Sequence, residues 1–76
     1  MDKKFTGYYD KDCYRVYVGD IVQHVSRNET YVVEEGEVCF LKGVNTSDVD
    51  IDYVIFTERK GNLVDNPELK NKFKIN

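Results

Sequence analysis

Apolar positions along this chain recur mostly at every second residue, the repeat of a half-buried strand, and seldom at the 3.6-residue repeat of a helix. Residues 14–18 (YRVYV) and 21–25 (IVQHV) predict two strands separated by the turn signal Gly19-Asp20. Ser26-Arg27-Asn28-Glu29 is polar and turn-like. Residues 30–34 (TYVVE) are dense in β-branched and aromatic side chains, which suit a pleated, half-buried surface. Glu35-Gly36 separates this third strand from residues 38–41 (VCFL), and the two runs make the clearest hairpin in the sequence. A polar loop through Asn45, Thr46 and Ser47 leads to a fifth strand at 49–56, alternating at first and more continuously apolar later. The five glycines, at 7, 19, 36, 43 and 61, each fall where a turn is expected.

The end of the chain changes character. Asn66-Pro67-Glu68-Leu69 predicts a helix start, with Asn66 as N-cap, Pro67 at a position that needs no N–H, and Glu68 at the positive end. Ten residues remain after Asn66, so the helix has one or two turns, with Leu69 and Phe73 as its apolar face. Five short strands and one terminal helical turn describe an all-β fold, a small barrel whose closure protects its strand edges. Without linker, repeat or low-complexity segment, residues 1–76 read as a single domain.

Composition narrows the function. The chain is 41% hydrophobic and 13% aromatic, with six Tyr, four Phe and no Trp, so Phe and Tyr fill much of a small core. A formal net charge of −3 argues against the basic footprint of a nucleic-acid binder, and no polybasic run suits a membrane surface. The N-terminus has no apolar stretch for a signal-peptide core, so a cytoplasmic location is expected, with Cys13 and Cys39 as reduced thiols.

No constellation of catalytic residues emerges, and the chain is expected not to be an enzyme. His24 and Ser26, read as two positions of one strand, stand about two strand rises apart, too far for a direct bond. Asp48, Asp50 and Asp52 have the spacing that opens an EF-hand loop, but Tyr53 and Arg59 hold the places of its glycine and glutamate, so solvated acids on a strand fit better. No metal or cofactor is expected. The aromatic residues Tyr8, Tyr9, Tyr14 and Tyr17 gather around Arg15. Such a group can stack on single strands or grip extended peptides, whereas in so small a domain half of these tyrosines are expected to complete the core.

The stretch FTGYYDKDCYRVYVGDIV (residues 5–22) resembles the pattern YTG-x-x-DK-N-G-K-x-I-Y-x-GDIV of the YopX family, small proteins of bacteriophages and prophages. ERKGNLVDNPEL (residues 58–69) resembles that family's closing V-x-GN-I-x-x-NPEL segment. The matches are Phe5-Thr6-Gly7, Asp10-Lys11, Tyr17, Gly19-Asp20-Ile21-Val22, Gly61-Asn62 and Asn66-Pro67-Glu68-Leu69, with Cys13 in place of the usual turn residue. The resemblance implies a five-stranded SH3-type barrel of phage origin, corresponding to the family's C-terminal half. It brings no functional residues with it. The resulting expectation is a non-enzymatic protein-interaction module acting on a host or phage protein, with Tyr8, Tyr9, Tyr14, Arg15, Tyr17, Arg59 and Lys60 as candidate surface. The competing expectation is a nucleic-acid-binding barrel using Arg15, Tyr17, Arg59 and Lys60 with Lys70, Lys72 and Lys74. Self-association through an open strand edge is a further possibility.

Overall fold

A computed structural model describes residues 3–75, so the two ends of the domain assigned to 1–76 lie outside the described residues. Seven strands run in the order β1 (Phe5–Tyr9), β2 (Arg15–Tyr17), β3 (Asp20–His24), β4 (Glu29–Glu35), β5 (Cys39–Gly43), β6 (Val49–Asp50) and β7 (Glu58–Asn62). Two 3-10 segments, Val25–Arg27 and Ile51–Phe56, and one helical turn, α1 (Leu69–Lys72), are the other elements among the described residues. β1 and β2 form an antiparallel ribbon; the others form one antiparallel sheet in the order β6-β5-β4-β3-β7.

The hairpin expected around Gly36 is present, with Val33 opposite Leu41 and Glu35 opposite Cys39. Val16, Val22, Tyr31, Val33, Leu41, Ile51 and Val54 pack into one core on one side of the sheet. Each such aliphatic side chain contributes about 1.5–3 kcal/mol by leaving water. Ile21 and Val32 oppose each other across β3 and β4 and are also buried, yet alternation places them on the other face. Both faces of β4 are therefore covered, which explains its unbroken apolar run. Part of that second cover is the chain end. Leu69 sits over Gly61, the partner of Ile21, so closely that a Cβ there would lie 2.6 Å from the leucine, and Ile75 borders the hollows beside Val32.

Several expectations need correction. The strand expected over 49–56 ends after Asp50, and Ile51–Phe56 turns as a 3-10 helix. Three residues per turn put Ile51 and Val54 on its buried side and leave Ile55 and Phe56 exposed. The strand expected over 21–25 stops at His24. Phe5–Tyr9, where a turn is expected at Gly7, is a strand, and so is the unassigned Glu58–Asn62. Gly7 and Gly61 accordingly lie inside strands, beside irregularities of register, rather than in turns. The terminal helix is a single turn. Its first bonds run from the Leu69 and Lys70 N–H groups to the carbonyls of Asn66 and Pro67; Glu68 rather than Asn66 holds the cap position, and its side chain makes no capping hydrogen bond.

Asp10 organises the turn between β1 and β2. Its carboxylate accepts the N–H groups of Asp12 (2.9 Å) and Tyr14 (3.0 Å), and Cys13 takes a left-handed φ of 64°. A side chain there costs about 1 kcal/mol. Cys13→Gly is expected to raise stability by up to about 1 kcal/mol, read as a higher urea midpoint.

Candidate functional site

The ribbon places its residues by register. Phe5 opposes Tyr17 and Tyr9 opposes Arg15, while Val16 between them points into the core. The inner side anchors the ribbon, and its outer side is left with aromatic rings. The Phe5 ring lies 5.7 Å from Tyr9, edge-on at 73°, and 5.7 Å from Tyr17 at 52°. The Arg15 guanidinium stands 5.3 Å from the Phe5 centroid, and the Lys3 ammonium 5.3 Å from that of Tyr17. Lys3 also meets Asp65 at 2.8 Å. Among the described residues Arg15 has no carboxylate in ion-pair range, and Tyr17, then Tyr9, raise its pKa above the ordinary arginine value.

The seven candidate surface residues do not form one patch. Tyr9, Arg15 and Tyr17 share the ribbon's outer face. Tyr14, Arg59 and Lys60 line an open groove of about 320 Å³ beside β7, together with Asp10, Asp12, Glu58 and Asp65. There Arg59 donates to Asp20 (3.3 Å) and Lys60 to Glu58 (3.1 Å), so both cations already have carboxylate partners. Tyr8 is exposed on β1; its ring is in neither of the ribbon's ring pairs and does not line the groove. None of the four tyrosines, half of which are expected to complete the core, is buried: Tyr8, Tyr9 (47%) and Tyr14 (66%) are exposed and Tyr17 is half-buried, because the aliphatic residues with Tyr31 already fill the core. The cations of the basic-aromatic patch are dispersed as well. Lys70 and Lys74 lie by Glu34 at the C-terminal hollows, and Lys72 lies 5.6 Å from the Phe73 ring. Sequence reasoning missed Phe5, whose ring joins the others; its only signal was register with Tyr17.

His24 and Ser26 also depart from expectation, since Ser26 Oγ lies 3.3 Å from His24 Nδ1. The 3-10 turn Val25–Arg27 folds the serine back, where a straight strand would have carried it away. Among the described residues no third group hydrogen-bonds the imidazole to orient it. Glu29, opposite His24 in register, commits Oε1 to the hydroxyls of Tyr53 (2.9 Å) and Tyr31 (3.0 Å), and His24 instead stacks on Tyr53 at 5.8 Å. No group of His, Cys, Asp and Glu among the described residues could hold a metal ion. Asp48 accepts the Gly43 N–H at 2.8 Å, and Cys13 and Cys39 are free.

The trio of Glu29, Tyr31 and Tyr53 has a readable titration. Burial, then Glu29, pushes Tyr31 up to about 12, and the Tyr53 hydroxyl, followed by that of Tyr31, holds the Glu29 carboxyl below the ordinary value. A phenol that keeps its proton more tightly when folded contributes stability below its unfolded pKa and loses it as pH rises. A carboxyl with a lowered folded pKa contributes above its unfolded value and loses it as pH falls. Stability from the trio is thus expected to be flat between about pH 5 and 9 and to decline on either side. Phenolate absorbance should show a late step near pH 12, and Glu29→Gln should move that step down.

No helix among the described residues is long and apolar enough to cross a membrane. No protein-family model matches the chain, and no curated protein is detectably similar to it.

Proposed function

We propose that this chain is a non-enzymatic protein-interaction module of YopX-like, phage or prophage type, an SH3-type barrel acting in the cytoplasm on a host or phage protein. The observation that carries the reading is the outer face of the ribbon. The Phe5 and Tyr9 rings and Arg15, which has no carboxylate partner among the described residues, stand exposed there beside the half-buried Tyr17, although none of them belongs to the buried core cluster. Tyr and Arg are the residue types that anchor protein interfaces. The resemblance draws support from the packing of its two motifs. Asp20, from Gly19-Asp20-Ile21-Val22, pairs in register with Asn62, from Gly61-Asn62, and accepts its amide at 2.7 Å, so the recurrent residues act together as framework.

The test is affinity capture from lysate of the bacterial host, with and without nuclease, by the wild-type chain and by the double variant Tyr9→Ser, Arg15→Gln. The expected result is a protein that survives nuclease and is absent from the variant's capture. Capture that vanishes with nuclease would transfer the reading to nucleic acid. A partner retained by the variant would remove the ribbon from the account.

A further inference from the structure

We propose that the ribbon's outer face receives a carboxylate side chain from an extended segment of a partner protein, held by Arg15 among Phe5, Tyr9 and Tyr17. This deepens the interaction-module reading and rests on it. The described ion pairs join Lys3 to Asp65, Lys4 to Glu35, Lys11 to Asp12, Lys42 to Glu34, Arg59 to Asp20 and Lys60 to Glu58, and Arg15 takes part in none of them. Its guanidinium is placed against the Phe5 ring, 5.3 Å from the centroid. A guanidinium resting on a ring keeps its in-plane N–H groups available, and that fork matches the two oxygens of a carboxylate.

The rings add to the site in two ways. They give apolar contact area from rigid side chains, and they shelter an ion pair that would be worth little in open water. Phe5 and Tyr9 come from the two ends of β1, with Tyr17 and Arg15 across from them, and the irregular register lets Tyr9, Tyr17 and Arg15 all close on the Phe5 ring. The face is therefore one compact cluster that takes a single side chain from a segment lying along the ribbon. Its charge is local. The neighbouring Lys3 and Lys4 are neutralised by Asp65 and Glu35, and the chain as a whole carries −3. One cation in an aromatic setting on an acidic protein complements a single carboxylate, whereas a phosphate backbone is drawn by several.

The experiment selects a random twelve-residue peptide library, and in parallel a pool of single-stranded oligonucleotides, against the full chain and against Arg15→Gln. Because Arg15 is exposed, the variant is expected to unfold at the same temperature as the wild type, which serves as its control. Enriched peptides should share one Asp or Glu beside apolar residues. For a synthetic peptide from that set, Arg15→Gln and removal of the peptide's own carboxylate should each weaken binding about tenfold. Made together, they should weaken it little further, because both remove the same contact. Losses that simply multiply would overturn the carboxylate contact, as would enriched peptides without a shared acid, enriched oligonucleotides, or no enrichment. Acid-free peptides that are lost on Tyr9→Ser would sink the carboxylate while leaving the ribbon as an interaction surface. The lysate capture reads the broader function independently.

Discussion

Gly43→Ala is expected to cost about 3 kcal/mol or more, or to prevent folding. A Cβ at this position would stand 1.9 Å from the Thr46 carbonyl oxygen and 2.6 Å from its carbon, with the Ser47 carbonyl at 2.9 Å. These are backbone atoms, so no rotamer change relieves the contact, and the loop itself has to move. That loop is tied down by four hydrogen bonds. Gly43 N–H donates to Asp48 (2.8 Å), Thr30 N–H to the Asn45 side chain (2.9 Å), Val44 N–H to the Thr30 carbonyl (2.9 Å), and the Asn45 amide to the Asn28 carbonyl (2.9 Å). Displacement strains or breaks several of them and pulls on β4 and β5 together. Gly36→Ala is the comparison. Its Cβ would meet only the Val38 carbonyl at 3.3 Å and the Phe40 ring at 3.4 Å, and its expected cost is about 1 kcal/mol or less. Urea unfolding of the two variants reads the difference directly. Equal midpoints would mean that the 44–48 loop does not lie over Gly43 as described.

Asp20→Ala is expected to cost about 3–5 kcal/mol. Asp20 is 0% exposed, and its carboxylate accepts the Tyr17 N–H (2.8 Å), the Asn62 amide (2.7 Å) and Arg59 Nε (3.3 Å). The alanine takes this acceptor from the Tyr17 N–H and the Asn62 amide, which face a fully buried position, and also from the partly exposed Arg59. Asn62 in turn accepts the Val64 N–H at 2.7 Å, so the damage extends toward the C-terminal segment. A domain of this size has roughly 4–11 kcal/mol in total, which puts the variant near its unfolding limit. Arg59→Ala, by contrast, removes one partly exposed partner and should cost about 1 kcal/mol or less. Asp20→Asn keeps the volume but aims an amide N–H at a donor, and should fall between the two. A loss below about 1 kcal/mol for Asp20→Ala would show that the carboxylate does not join ribbon, sheet and chain end.

How far the sequence was legible follows from which contacts are local. The β4–β5 hairpin could be read because alternation, β-branching and a turn glycine agree within a dozen residues. Ile51–Phe56 could not, because IDYVIF has the composition of a strand, and its 3-10 winding shows only in the three-residue spacing of Ile51 and Val54. β7 carries ERKGN, with no apolar period at all. Its place is set by bonding to β3 and by Leu69 seated over Gly61, neither of which is written in the segment itself. β1 was hidden by Gly7, which serves an irregular register inside a strand rather than a turn. The candidate surface was legible as residue types but not as a surface. Tyr9, Arg15 and Tyr17 come together only because the ribbon's register sets them on one face with Phe5, and alternation sends Tyr14 to the groove beside β7.

The central claim is that the ribbon's outer face is where this protein meets its partner. Amide chemical-shift mapping of the labelled chain, titrated with the captured protein or an enriched peptide, tests it most directly. The expected result is perturbation concentrated in Phe5–Tyr9 and Arg15–Tyr17, with β7 and the C-terminal turn unchanged. Perturbation centred on Glu58–Asn62 or on residues 70–75, with the ribbon silent, would contradict it.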